Sequence, residues 1–504
     1  MSTRVNLLVL AGFLCFTLIV RKIHQWRSLS KFPGPFLAQW TRFYRAYYDI
    51  VVGGGWLEHL EELHEIYGKL ATNTGSLYAL SNLHFSHPAA YADIYTSAPL
   101  HPKDPYMYQT FAIPPSSFSE TDPKEHSAVK SLTSTFFSRK SILGVEHIIQ
   151  GQIDKLVARL VNNHKSRPAD MDKAFRSTTL DIITVYTFAY SIDAISYPDF
   201  EHPVLMGIDM HVKKLWIFKH FPLVKRLLVG LPRWLAVAIA PSTKPTLEFT
   251  GEMEKLVDYA LADPYRVVEQ EDRNVFYTLL TDVYGERKMK QSQKVTRKWL
   301  IGEGQVLRVA GSDTVGNTCT VGARCILRDE RVLSKLVQEL ENAWPDKNHR
   351  MTYEKLEKLP YLTAVIKESL RMASGLVTPL ARVVPSTGSM IAGNSVPPGT
   401  VVSIGNSFVH SNPDVFSDPT RFYPERWMQG DHHALEKYLV AFGKGPRSCI
   451  GINLAWCELY LILGNLFRKL DLRATHDLNS KLRVTDYLVP FYDGEVLHVT
   501  VNER

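Results

Sequence analysis

The sequence predicts a mainly α-helical fold: one large helical domain with small β-sheets, preceded by a single N-terminal transmembrane helix. Three observations carry that prediction. Apolar residues recur at helical spacing from Trp56 to Tyr67, from Ile148 to Val161 and through the middle of the chain. Runs of β type are short and scattered, near Leu77 to Phe85, around Arg382 to Val401 and from Val496 to Val501. The first residues form an apolar stretch that approaches the thickness of a bilayer. With 504 residues, 45% of them hydrophobic and 22% charged, the chain can bury a large core, which excludes wholesale disorder. The net charge of +7 is too diffuse for nucleic acid and fits a membrane surface or an acidic protein partner. The five cysteines, Cys15, Cys319, Cys325, Cys449 and Cys457, show no C-x-x-C pair and no regular spacing, which argues against a disulfide framework or a zinc site.

Taken in order, Val5 to Val20 reads as a marginal but credible membrane span, followed by Arg21, Lys22, Arg27 and Lys31, with Trp26 at interface depth. Those flanks point to a retained anchor, residues 1–22, with the rest of the chain on the cytosolic side. In "KFPGPF", Lys31 to Phe36, two prolines around a glycine cannot continue a helix. No repeat or linker follows, so residues 32–504 read as one domain.

"AFGKGPRSCIG", residues 441 to 451, places a cysteine between a basic turn and the start of a strongly apolar helix. Backbone N–H groups and the positive helix end there favour a thiolate. Gly445 and Gly451 let the backbone pass close to something flat, and Arg447 can pair with an anionic group on it. A buried structural cysteine is the bland alternative. The spacing favours the other reading: Phe442, Gly445, Arg447, Cys449 and Gly451 match F-x-x-G-x-R-x-C-x-G, a chance match on the order of 1 in 10,000 for such a chain.

On that loop the chain resembles the cytochrome P-450 family, and other motifs follow in the family's order. The resemblance implies the cytochrome P-450 fold, haem b as cofactor, and Cys449 as the axial thiolate on its iron. Glu368 and Arg371 in "IKESLR", joined by Arg426 of "FYPERW", are expected to form a buried structural triad. "RVAGSDTVGN" meets the pattern A-G-x-D-T with Ala310, Gly311, Asp313 and Thr314. Gly302, Gly304, Gly311 and Gly316 then imply a distorted helix crossing the haem face, where Asp313 and Thr314 would deliver protons to dioxygen. Arg447 and Arg382 are expected at the haem propionates. The family's W/H-x-x-x-R is matched only by His126 and Lys130, where lysine replaces the planar guanidinium fork.

The resemblance further implies a monooxygenase acting on a lipophilic small molecule, with electrons from NADPH through cytochrome P-450 reductase. Tyr106, Phe111, Ile113, Val377, Leu380 and Phe491 are expected to line the substrate pocket. Around Trp216, Phe218 and Trp234, apolar residues mix with lysine and arginine, as at a membrane interface. Reductase is expected to dock near Lys444 and Lys140. Segments such as "KDPYMYQTF" are most similar to the fungal enzymes of secondary metabolism of the trichodiene oxygenase type, which suggests a terpenoid and an endoplasmic reticulum membrane. A polyketide or alkaloid substrate, a haem-thiolate isomerase or dehydratase, and a non-catalytic haem protein are the alternatives.

Overall fold

The computed structural model describes residues 31–504 except 69, 75–81, 96–97, 99, 110–113 and 263–295, together with Asn6, Gly12, Phe13, Phe16 and Thr17. Most of the expected membrane span, and both Phe111 and Ile113, lie outside the described residues. Among the described residues no helix is long and apolar enough to cross a membrane.

The helices that frame the site are α1 (Pro123–Ser134), α2 (Glu146–Asn163), α3 (Met171–Phe188), α4 (Pro203–His220), α5 (Pro222–Gly230), α6 (Arg233–Ile239), α7 (Lys244–Ala262), α8 (Arg297–Arg328), α9 (Glu330–Ala343), α10 (Pro360–Ala373) and α11 (Ile452–Lys469). Their ends follow from local chemistry. Asp122 and Asp170 accept from the first free N–H groups of α1 and α3, and Thr296 does so for α8. α8 runs through the main core, packed among α3, α7, α10 and α11. Almost every residue of its middle is buried, as a helix surrounded by others requires.

The glycines of α8 do not distort it, contrary to the sequence expectation; Arg297–Arg328 is one uninterrupted α-helix of 32 residues. They allow close approach instead. A Cβ on Gly311 would stand 2.5 Å from Ile183 Cγ1, and one on Gly316 would stand 3.0 Å from the Arg176 Cα, both on α3. On Gly302 it would meet the Pro114 and Pro115 carbonyl oxygens at 2.5 Å.

The sheets are small. A four-stranded sheet orders Leu70–Thr74, Asn82–Phe85, Val401–Ser403 and Arg382–Val383, with a register shift in its first pair between Thr72 and Thr74. A three-stranded sheet orders Ala169–Asp170, His498–Glu503 and Leu470–Ala474, and Val484–Tyr487 pairs with Val489–Tyr492 as a hairpin. Trp216 and Phe218 correct another expectation, since both are buried in the core. The apolar side chains that reach solvent in this region are Phe221, Leu223 and Leu227 near or on α5 and Trp234 and Ile239 on α6.

Candidate active site

The loop before α11 is shaped by its glycines. Gly443 and Gly445 adopt φ of 67° and 70°, which a side chain would strain, and the Cys449 N–H donates to the Phe442 carbonyl at 2.8 Å. Gly451 caps α11. Lys130 Nζ donates to the Pro446 carbonyl at 2.9 Å and the Ser448 carbonyl at 3.5 Å, so this lysine ties α1 to the cysteine loop. Burial raises the Cys449 thiol pKa, opposed by a hydrogen bond with Gly451 and by the Lys130 charge. Burial thus works against the helix-end effect, and a metal held at the sulfur would favour the thiolate. Cys449 nevertheless keeps accessible surface.

The same is true of one stretch of α8. Between Trp299 and Ile326, Ala310 is the one exposed residue, flanked by half-exposed Val309, Gly311 and Thr314. An exposed alanine in the middle of a buried helix marks an interior surface. Thr314 Oγ1 donates to the Ala310 carbonyl at 2.9 Å, which leaves its oxygen free to accept.

Asp313 lies on a different face of α8. Its Oδ1 accepts from Arg176 Nε at 3.0 Å and Nη2 at 2.9 Å, while Oδ2 is buried without a partner. Arg176 also donates to Asp209 on α4, through Nη2 at 2.5 Å. Burial raises the Asp313 pKa, Arg176 lowers it, and Asp209 raises it again. All three residues line a polar cleft of about 360 Å³, together with Asn317, Phe491 and Tyr492.

Cations gather beside the cysteine loop. Arg382 Nη1 donates to Tyr108 Oη at 2.8 Å, Arg447 Nη1 to the Glu120 carbonyl at 2.8 Å, and buried Lys103 Nζ to the Phe118 carbonyl at 2.6 Å, its charge 4.3 Å from the centre of the Tyr108 ring. Burial, then Arg382 and Arg447, hold the Lys103 pKa well down; burial and then Arg382 bring Arg447 to about 10. Burial with Arg447, Lys103, Lys130 and Arg382 pushes His126 to about 3. Among the described residues none of Lys103, Arg382 and Arg447 forms a salt bridge with a carboxylate. Two buried cations, Lys103 and Arg382, and the half-buried Arg447, all on neutral acceptors, favour an anion beside them. A flat group with a metal for Cys449 and two carboxylates on one edge matches this donor set and the interior surface of α8, so the residues fit haem. Lys103, Arg176 and Asp209 escape sequence reasoning because their partners are distant in the chain.

The triad assembles in full. Glu368 accepts from Arg371 Nε at 2.9 Å and Nη2 at 2.8 Å, Arg426 Nε at 3.1 Å, Trp427 Nε1 at 2.9 Å and the Tyr423 N–H at 3.0 Å, all deep in the protein. The pocket residues disperse more. Val377 is buried and its N–H donates to the Leu488 carbonyl at 3.1 Å; Leu380, Leu488 and Val309 share one apolar cluster. Phe491 belongs to that same cluster, while its ring also carries Lys213 Nζ at 4.8 Å and lines the cleft beside Asp313; Leu488 is the hairpin residue bonded to Val377. Tyr106 turns toward His220, Oη to Nδ1 at 3.4 Å. Lys444 is half-buried and donates to the Lys437 carbonyl, whereas Lys140 and Lys437 are exposed.

Residues 56–489 match the family model described as cytochrome P-450. Among curated proteins the chain is 31% identical to the cytochrome P-450 monooxygenase flvC of Aspergillus flavus, covering 94% of this chain and 91% of that one. It is 32% identical to the conidiogenone synthase of Penicillium rubens, covering 92% of each. The crystal structure of the cytochrome P-450DA heme domain superposes with a TM-score of 0.74 at 17% identity, over 94% of this chain and 98% of that one, which is a likeness of fold.

Proposed function

The chain belongs to the cytochrome P-450 family and is a monooxygenase; from that premise we propose that it oxygenates a lipophilic secondary metabolite of terpenoid type, with electrons from NADPH through a reductase. Three observations support the chemistry: the accessible Cys449 in its glycine loop, the exposed Ala310 and half-exposed Thr314 within an otherwise buried helix, and the cations Lys103, Arg382 and Arg447 bonded to neutral acceptors. Haem bound through Cys449 supplies reductive activation of dioxygen. The chain's own residues do the rest. Arg382, Arg447 and Lys103 neutralise the propionate edge, and Lys130 fixes the cysteine loop through its carbonyls. The Thr314 hydroxyl, anchored to the Ala310 carbonyl, can hold a water at the distal face, and Asp313 can take protons from the polar cleft at its free Oδ2. Val309, Val377, Leu380 and Leu488 offer an apolar wall and exclude water.

The terpenoid reading rests on the resemblance of the sequence and on relatives such as the conidiogenone synthase. A haem-thiolate isomerase needs no proton delivery, so the presence of both Asp313 and Thr314 favours the monooxygenase. Microsomes containing the protein and a reductase, given terpene and polyketide scaffolds with and without NADPH, test it. A terpenoid product gaining one oxygen only with NADPH supports the proposal; oxygenation of polyketides alone overturns the substrate class.

Membrane attachment is part of the same reading. The chain enters the domain beside exposed Phe36, Leu37 and Phe43, and the Phe43 ring lies 6.3 Å from that of Phe221 at the start of α5. Phe221 leads into α5, where exposed Leu223 and Leu227 alternate with Lys225 and Arg226, a mixture that suits a headgroup boundary. We expect removal of residues 1–22 to weaken membrane binding without abolishing it, and Leu223→Ser with Leu227→Ser to release the truncated protein in a flotation assay. The reductase is proposed to dock near exposed Lys140, with exposed Lys437 in place of half-buried Lys444; charge reversal at both that left turnover unchanged at low salt would count against it.

A further inference from the structure

At the far rim of the polar cleft the three-stranded sheet brings together two histidines that the reaction does not use. His498 opens the strand His498–Glu503, and His476 follows the strand Leu470–Ala474 that pairs with it. The Thr475 N–H donates to the His498 carbonyl at 3.0 Å, so the two rings are held side by side, centroids 6.0 Å apart and inclined by 70°. Glu495, in the turn before that strand, brings Oε2 to 3.9 Å from His476 Nδ1. One donor atom from each of His476, Glu495 and His498 lies within 4.8 Å of the others.

Two further observations distinguish this from a chance surface cluster. Both ring nitrogens of His476, and Nδ1 of His498, are shielded from solvent and have no hydrogen-bond partner. Unsatisfied buried nitrogens of this kind call for an acceptor, a water or a metal. Asp170, paired with His498 in the sheet, brings Oδ2 to 3.9 Å from His498 Nε2, on the opposite side of the ring from the free Nδ1. At that distance the contact is electrostatic and not a hydrogen bond, but it puts a carboxylate behind the distal nitrogen, as in the outer shell that supports histidine ligands in metal sites.

We infer that His476, His498 and Glu495 form a binding site for a borderline divalent transition ion, Zn²⁺ foremost, with Asp170 orienting His498. A tetrahedral ion with bonds of about 2.0–2.1 Å separates its donors by ~3.3 Å, so donors that now lie within 4.8 Å of one another must draw together, the exposed Glu495 side chain by rotation. Two imidazoles and one carboxylate leave a fourth position to water. Hard ions such as Mg²⁺, which favour all-oxygen shells, are excluded by the same donor set. The ion would tie the turn before strand His498–Glu503 to the sheet edge, and so brace the stem of the hairpin that carries Leu488 and Phe491.

The test is calorimetric titration of the untagged, haem-loaded full chain with Zn²⁺. We expect one ion per chain, with binding weakened at least 10-fold by His476→Ala or His498→Ala. Asp170→Asn should lower affinity about 10-fold or more through the orientation of His498. Glu495→Gln, a change at an exposed residue that leaves folding intact, should also weaken binding. An unaltered affinity in that variant together with either histidine variant would overturn the site, as would Mg²⁺ binding equal to Zn²⁺ or no binding at all. A rise in melting temperature with Zn²⁺, reversed by chelator and missing in the histidine variants, is the second expected result.

Discussion

Thr314 is the residue on which the proton chemistry can be read most directly. Its hydroxyl already donates to the Ala310 carbonyl at 2.9 Å, so it meets an incoming water as an acceptor in a fixed place. Thr314→Ala removes that acceptor and little volume. The expected outcome is a several-fold drop in product per NADPH with a matching rise in hydrogen peroxide; an unchanged ratio would deny Thr314 the role. Lys103 gives a complementary test. As a buried ammonium facing Arg382 and Arg447 it costs the protein stability until an anion arrives. Lys103→Met should therefore leave the haem-free protein at least as stable, while haem transfers faster to an apoglobin acceptor. Equal transfer rates would take Lys103 out of the propionate cluster. The triad of Glu368, Arg371 and Arg426 was legible in the sequence because it is tied to fixed spacing within short motifs. Lys103 and Arg176 were not, since each is defined by groups more than a hundred residues away, Arg176 by Asp313 and Lys103 by Arg382.

At the scale of elements, the contact between α3 and α8 governs the site's geometry. Periodicity revealed that these segments are helical, but the meaning of the α8 glycines depended on what packs against them. They are points of near contact, with Gly311 set against Ile183 and Gly316 against the Arg176 backbone. That contact also positions Arg176 to reach Asp313. Gly311→Ala would improve helix propensity by about 1 kcal/mol in isolation. Here the new methyl would stand 2.5 Å from Ile183 Cγ1, and overpacking of this kind costs about 1–3 kcal/mol, so net destabilisation is expected. Ile183→Ala in the same chain removes the Cγ1 and Cδ1 contacts but leaves Cβ at 2.8 Å, so rescue should be partial. Melting of the single and double variants measures both effects. Additive losses would mean that the two residues do not press on each other.

Across the whole molecule, one buried polar cluster joins the start of the domain to its end. Asp49 Oδ2 accepts from Arg45 Nε at 3.1 Å, Lys219 Nζ at 3.0 Å and His220 Nε2 at 2.7 Å, which fastens the end of α4 to the N-terminal segment. The Asp486 N–H donates to the Gly54 carbonyl at 2.8 Å, and the Trp216 indole donates to the Asp486 carbonyl at 2.6 Å. Gly54, at φ 79°, has no room for a side chain because a Cβ would stand 3.0 Å from the Asp486 backbone. The Asp486 carboxyl accepts from Thr378 and from the Leu488 N–H at Oδ1, while Oδ2 is buried without a partner. Burial is the dominant cause that raises its pKa from 3.8 to about 6, with Asp49 adding to it. A carboxyl whose pKa is higher folded than unfolded favours the fold below about pH 4 and loses that advantage as pH rises to about 6. That gap corresponds to about 3 kcal/mol. Asp49 acts in the opposite sense, its lowered pKa favouring the fold above about pH 4 and less so below. Asp486→Asn keeps the Oδ1 acceptor for Thr378 and Leu488 and removes the ionisation. The variant should melt above the parent at pH 7 to 8, and the difference should shrink through pH 6 and vanish toward pH 4, because Asp49 is common to both chains. A difference independent of pH would mean that Asp486 is not the group that titrates in this cluster.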